Sequence, residues 1–290
     1  MQPRFPASPK TYRYDGTFGG FLCCVFESFL KKETPAAILP EDGPYSLYPE
    51  KSVETDDARA GRVWRALPVR VSREAAELSR DVFLTCLCGK ELPLLRVLQE
   101  GFFSGGRVLN ALADRDVALL TKAVGHLRSE AHLLTGFARF SDYGGELVSV
   151  VTPKNLVLPY LARHFVSRMP DETFLIWDKT HREAVAWRER RLSFFPLERL
   201  ELPPPDAAEA ECRALWKRFY DTIAIESRYN PRCRMSHMPK RYWENMTEFQ
   251  EPSSPPLDNS AAAPYHEENR LPPESGERTQ NRKEGSELRA

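Results

Sequence analysis

The sequence predicts an α+β fold, with several helices packed on a small, mainly antiparallel sheet. Three observations predict it. Several stretches carry apolar residues at the helical period of 3.6. Shorter runs rich in β-branched and aromatic residues sit beside turn residues, one pair of them across Asp142-Tyr143-Gly144-Gly145. The two kinds of segment do not alternate as regular βαβ units. The 290 residues, 41% hydrophobic, can bury a sizeable core. The expected organisation is one mixed α/β body, residues 1–250, and a disordered tail, residues 251–290.

Each element follows from local pattern. Tyr12 to Tyr14 read as a short strand ending at Asp15-Gly16. From Thr17, the residues Phe18, Phe21, Leu22, Val25, Phe26, Phe29 and Leu30 share one broad helical face, which must be buried. Gly19 and Gly20 weaken that helix, so something approaches its first turn closely, and backbone packing is the ordinary reason. Residues 33–57, rich in Pro, Gly and acids, read as an irregular connection. Ser72 caps a helix from Arg73 to Cys88, and a short helix from Leu92 to Glu100 stops at Gly101. Asp114 or Asp116 opens a helix ending at Gly136, with a seam of Val117, Leu120, Val124, Leu127, Ala131 and Leu134.

The period then switches. Phe137 to Phe140 and Glu146 to Val151 read as a hairpin, and Pro153 and Asn155 lead into a helix through Arg168. Thr173 to Trp177 and Glu183 to Trp187 read as strands. After three prolines, Asp206 to Glu209 resemble a capping box and open a helix expected to bury Cys212, Leu215, Trp216, Phe219, Tyr220 and Ile223. From Glu251 onward Pro, Ser, Glu, Asn and Arg dominate, and such a segment cannot bury enough surface to offset the entropy of ordering.

Charge and composition exclude several classes. Formal charge is zero overall, and the body carries 36 basic against 33 acidic residues, so local clustering matters more than the total. No run approaches the roughly 18 apolar residues of a membrane span, and the first residues lack the apolar core of a signal peptide, so a cytoplasmic protein without membrane contact is expected. The six cysteines show no C-x-x-C pair and no Cys/His ligand spacing, so neither zinc nor any other metal or cofactor is expected. No G-x-S-x-G, P-loop or G-x-G-x-x-G is present, and no three-cysteine cluster for a radical-generating iron–sulfur centre.

Four residues are weak catalytic candidates. Asp15 ends the first strand, and Asp178 ends the strand Phe174-Leu175-Ile176-Trp177, where catalytic carboxylates often sit; either is equally a turn residue. His164 lies inside an amphipathic helix, and His237 in a basic loop. His126 and Glu130 share a helical face, but no second histidine completes H-E-x-x-H.

The stretch from Arg213 to Trp243 differs in kind, with eight Lys/Arg and two acids. Two prolines are expected to keep Asn230 to Pro239 out of a continuous helix, leaving a loop that presents cations and aromatics together. Arg228, Arg232, Arg234, Lys240 and Arg241 would hold phosphates, with Tyr242 and Trp243 stacking on unpaired bases. The ordinary alternative is a basic face whose Tyr242 and Trp243 anchor the end of the body.

Five segments carry a family resemblance: YDGTFGGFL at Tyr14 to Leu22, EAHLLTGFARF at Glu130 to Phe140, VLPYLARHFVSR at Val157 to Arg168, FLIWD ending at Asp178, and NPRCRMSHMPKRYWENMTE at Asn230 to Glu248. Together they resemble the family called "probable DNA metabolism protein", from about Tyr12 to Phe249. That family is an uncharacterised domain encoded beside a radical-SAM protein of DNA repair or modification, and elsewhere fused to a uracil-DNA glycosylase-like domain. The resemblance implies DNA, the radical-SAM protein and a glycosylase-like protein as partners, and a chain that depends on a separate partner for catalysis. Three readings follow. The leading one is an accessory DNA-binding protein; the others are an enzyme acting on DNA through a carboxylate/histidine site, and a protein-interaction adaptor without DNA contact.

Overall fold

The computed structural model describes residues 4–250. The expected disordered tail, from residue 251, lies outside them. The chain is α+β, but its strands form two sheets rather than one small, mainly antiparallel sheet. A three-stranded sheet has the order β2-β1-β3, built from β1 (Ala7–Tyr14), β2 (Thr34–Pro40) and β3 (Glu50–Ser52). All its pairings are parallel. A five-stranded mixed sheet runs β4-β5-β6-β7-β8, from β4 (Phe140–Asp142) through β5 (Glu146–Val151), β6 (Thr173–Asp178) and β7 (Glu183–Arg188) to β8 (Arg191–Pro196). There β5 and β6 are parallel and the other neighbours antiparallel.

Helical crossovers explain the parallel pairs. A chain leaving one strand through a helix arrives back at the end where it began, so the next strand runs the same way. Helix α1 (Phe18–Lys31) connects β1 to β2, and α6 (Leu158–Arg168) connects β5 to β6. Residues 33–57 therefore do more than connect: they hold β2, which contains two prolines, and β3, three polar residues, and neither has a strong β pattern. Helix α2 (Asp57–Arg70), capped by the Asp56 side chain, and strand β8 are two further elements beyond the sequence reading.

The caps fall where the side chains dictate. Thr17 accepts from the Gly20 amide to start α1, and Ser72 accepts from Ala75 to start α3 (Arg73–Leu84). Asp114 accepts from Asp116 and Val117 to start α5 (Arg115–Phe137). Two ends differ from expectation. Helix α3 stops at Leu84, where Lys90 Nζ donates to the carbonyls of Phe83 and Thr85, and does not reach Cys88. Helix α4 (Glu91–Ser104) runs through Gly101 and ends at Gly105, whose φ of 69° suits only glycine well.

Two cores result. One gathers Tyr12, Phe21, Val25, Leu67, Leu94 and Leu98 around α1 and the parallel sheet; the other gathers Leu158, Leu161, Phe165, Phe174, Ile176 and Val185 around α6 and the mixed sheet. Each buried aliphatic or phenylalanine side chain contributes roughly 1.5–3 kcal/mol. Helix α5 spans both, placing Val117, Leu120 and Val124 in the first core and Leu127, Ala131 and Leu134 in the second. Its predicted seam is thus buried along its whole length. At the start of α1, a Cβ on Gly20 would collide with the Asp15 carboxylate and the Thr55 hydroxyl. Side chains, not backbone, require that glycine.

Candidate functional site

The basic segment folds as short helices, not a loop. Asn230 accepts from the Cys233 amide and opens α8 (Pro231–His237). Pro231 sits in the first turn, where its missing N–H would have had no helical acceptor, and Pro239 stands two residues past the last helical residue. The prolines bound the helix rather than forbid it. A 3-10 segment, Lys240–Asn245, then brings the chain back to the mixed sheet.

This return is pinned by a buried carboxylate. Glu130, on α5, accepts from the backbone amides of Lys154 and Asn155 and from Asn155 Nδ2. It also accepts from Tyr242 Oη at 2.9 Å and Arg241 Nη2 at 2.7 Å. Burial, the largest single influence on Glu130, pushes its pKa up; the hydrogen bonds together overcome it and hold the carboxyl below its ordinary value. Tyr242 is only 2% exposed and lies against Phe137, so its ring offers no face for stacking. Arg241 is committed to Glu130. Of the seven residues expected to meet DNA, these two anchor the chain.

Trp243 is half-buried. Its indole N–H donates to the Met238 carbonyl, and its ring stacks on Phe249 at 4.6 Å with 15° between planes. The Arg234 guanidinium lies 4.8 Å from the Trp243 centroid and 5.8 Å from that of Tyr229. Arg228, Arg232 and Lys240 are exposed. Among the described residues no carboxylate forms an ion pair with these three or with Arg234, and Arg234 Nε is buried without a hydrogen-bond partner. Three exposed cations therefore stand within one short stretch of chain, and a fourth, Arg234, lies against Trp243.

The opposite outcome holds on α7 (Ala207–Thr222), begun by Asp206 as expected. The helix packs through Glu209, Arg213, Lys217 and Tyr220. Glu209 accepts from Arg213 and from the Asp142 amide, and Tyr220 meets Phe249 edge-on. Most of the stripe expected to be buried is instead exposed: Cys212, Leu215, Phe219 and Ile223 face outward, while Tyr220 is partly covered and Trp216 carries the Arg139 guanidinium over its ring at 5.3 Å. Amphipathic spacing reports two faces and does not say which of them meets the body.

The weak catalytic candidates do not converge. Asp15 is exposed and accepts from Thr17 and Thr55, tying β1 to the start of α1. His164 packs edge-on against Phe165. His237 Nδ1 lies 2.9 Å from the Cys233 carbonyl and 3.1 Å from Ser236 Oγ. Asp178 is fully buried and accepts from the amides of Thr180 and His181 and lies 2.6 Å from His181 Nδ1. That contact raises the His181 pKa, against burial, which lowers it. His181 also borders a cavity of about 280 Å³ with Thr85, Cys86, Lys90 and Leu156. The sequence does not single out His181, and it marks Glu130 only as the helical neighbour of His126. The spacing Asp178-x-x-His181 after a strand was the available signal for the first. For Glu130, a carboxylate on the apolar seam side of α5 was the signal. His126, its helical neighbour, is exposed and takes no part.

Fold and surface together define an α+β protein with a carboxylate-anchored basic end and no complete catalytic constellation among the described residues. Residues 89–248, more than half of the chain, match the family model described as a domain of unknown function, DUF4130. The chain belongs to that family. A comparison with curated proteins finds no match.

Proposed function

We propose that this chain is an accessory DNA-binding protein in DNA repair or modification, acting beside a separate radical-SAM enzyme. One observation supports the DNA contact: Arg228, Arg232 and Lys240 stand exposed within one short stretch of chain, with no carboxylate neutralising them among the described residues. Unpaired arginine forks match phosphate oxygens and release counterions when they bind. The repair context and the partners, the radical-SAM protein and a glycosylase-like protein, rest on the family resemblance of the five motifs. Arg241 and Tyr242 leave the contact set, because Glu130 already holds them.

A second reading, the protein-interaction adaptor, is favoured by the open apolar stripe of α7. One titration separates the two. Anisotropy of a labelled duplex, followed over a range of salt, should give a slope of log affinity near −2.7 for about three phosphate contacts. Arg232→Gln should flatten it by about 0.9. Absence of salt-dependent affinity for single- or double-stranded DNA, with and without the radical-SAM protein, would remove the DNA reading and leave the adaptor.

A further inference from the structure

We infer that the nucleic acid this surface takes is single-stranded DNA, with Tyr229 as its stacking platform; this rests on the DNA-binding reading above. Tyr229 is 68% exposed and directly follows Arg228. The Arg234 guanidinium lies 5.8 Å from its ring centroid, and 4.8 and 5.6 Å from those of Trp243 and Phe249. Phe249 already stacks on Trp243, so Trp243 is committed on that side and Tyr229 is the open ring of the series.

An open aromatic ring set among cations that no described carboxylate pairs distinguishes between nucleic-acid forms. In a duplex the bases cover one another, and cations alone would meet the backbone. An unpaired base has a free face, and every base can stack on an aromatic ring whatever its sequence. Duplex readout by a major-groove helix has little support here. Helix α8 has seven residues and turns Arg234 onto Trp243, while α7 presents Leu215, Phe219 and Ile223, which cannot read base edges by hydrogen bonding. Arg228, Arg232 and Lys240 would follow the phosphates of the strand whose base rests on Tyr229. The charge is complementary to a polyanion, and the four cations argue against a merely apolar occupant.

The test uses the full chain and two labelled probes, an oligo-thymidine of ~20 nucleotides and a duplex of the same length. The single strand should bind more tightly than the duplex at every salt concentration. Tyr229→Ala should weaken single-strand binding about tenfold, with duplex affinity and melting temperature unchanged. Tyr229→Phe should restore it, because stacking needs the ring and not the hydroxyl. Equal affinity for both probes, or the same loss on both with Tyr229→Ala, would overturn the single-strand inference and leave DNA binding standing. No affinity for either probe would overturn both. Should Tyr229→Ala leave DNA affinity intact but dissociate a self-assembly seen by sedimentation, the ring belongs to a protein interface and the inference fails.

Discussion

Arg241 donates a 2.7 Å hydrogen bond to Glu130 across 111 positions of sequence. Tyr242 donates to the same oxygen at 2.9 Å, and Arg241 also lies over the Tyr242 ring at 4.5 Å. The Arg241 carbonyl accepts from Thr152, whose hydroxyl accepts in turn from Asn245. The end of the described chain is thus fastened to α5 and to the end of β5 through one carboxylate and one hydroxyl.

Glu130→Ala is therefore expected to destabilise the protein by about 3–5 kcal/mol, since it strands several buried donors at once. Denaturant unfolding measures this directly. Arg241→Gln should lower stability as well, without changing the salt slope of DNA binding. A flatter slope with Arg241→Gln would show that the residue reaches phosphate after all.

The pH dependence follows in sign from the same group. A carboxyl whose pKa is lower when folded stabilises the protein above its unfolded value, and that contribution disappears as pH falls through the folded one. Glu248 behaves alike: burial pushes its pKa up, and the paired contacts from Arg139 more than reverse this. Melting temperature should fall on acidification below the ordinary carboxylate range, less steeply in Glu130→Gln. His181 acts in the opposite sense. Its pKa is raised by Asp178, so its contribution is complete below its unfolded value and lost as pH rises through the folded one. An NMR titration of the His181 ring, with and without Asp178→Asn, checks the direction.

In the first core, Phe21 and Val25 are fully buried, whereas Phe26 is half-buried with Arg59 and Arg62 over its ring at 5.8 and 5.9 Å. Phe21→Ala should cost about 3–5 kcal/mol and Phe26→Ala distinctly less. Equal costs in chemical denaturation would place Phe26 deeper than its exposure indicates.

Trp243→Ala removes the Phe249 stack and the hydrogen bond to Met238, so lost stability is expected. The loss should stay below the about 3–5 kcal/mol of a fully buried tryptophan. Unchanged melting with weakened single-strand binding would make Trp243 a stacking platform instead.

Truncation after Gln250 should leave the melting temperature unchanged. The removed residues have few large apolar side chains and little to bury. A large drop in a thermal melt would show that they dock on the body.

Sequence alone determined the elements whose signal is local. Ser72 and Asp206 each cap the helix they were expected to cap, Asp114 is the one of two expected residues that caps α5, and Thr17 caps a helix expected to begin near it, because an N-cap bond joins residues two or three apart. The seam of α5 and the strands β5, β6 and β7 were legible for the same reason: their periods are short. The clustering of cations between Arg213 and Trp243 was legible as composition. Tertiary structure decided everything that depends on which face meets which neighbour. It paired β1 with β2 and β3, exposed the apolar stripe of α7, and withdrew Arg241 and Tyr242 into contact with Glu130. A side chain's spacing sets the face it shares, but burial and ion pairing are set by residues distant in the chain. Only their packing determines whether an arginine ends at a carboxylate or stands open to solvent.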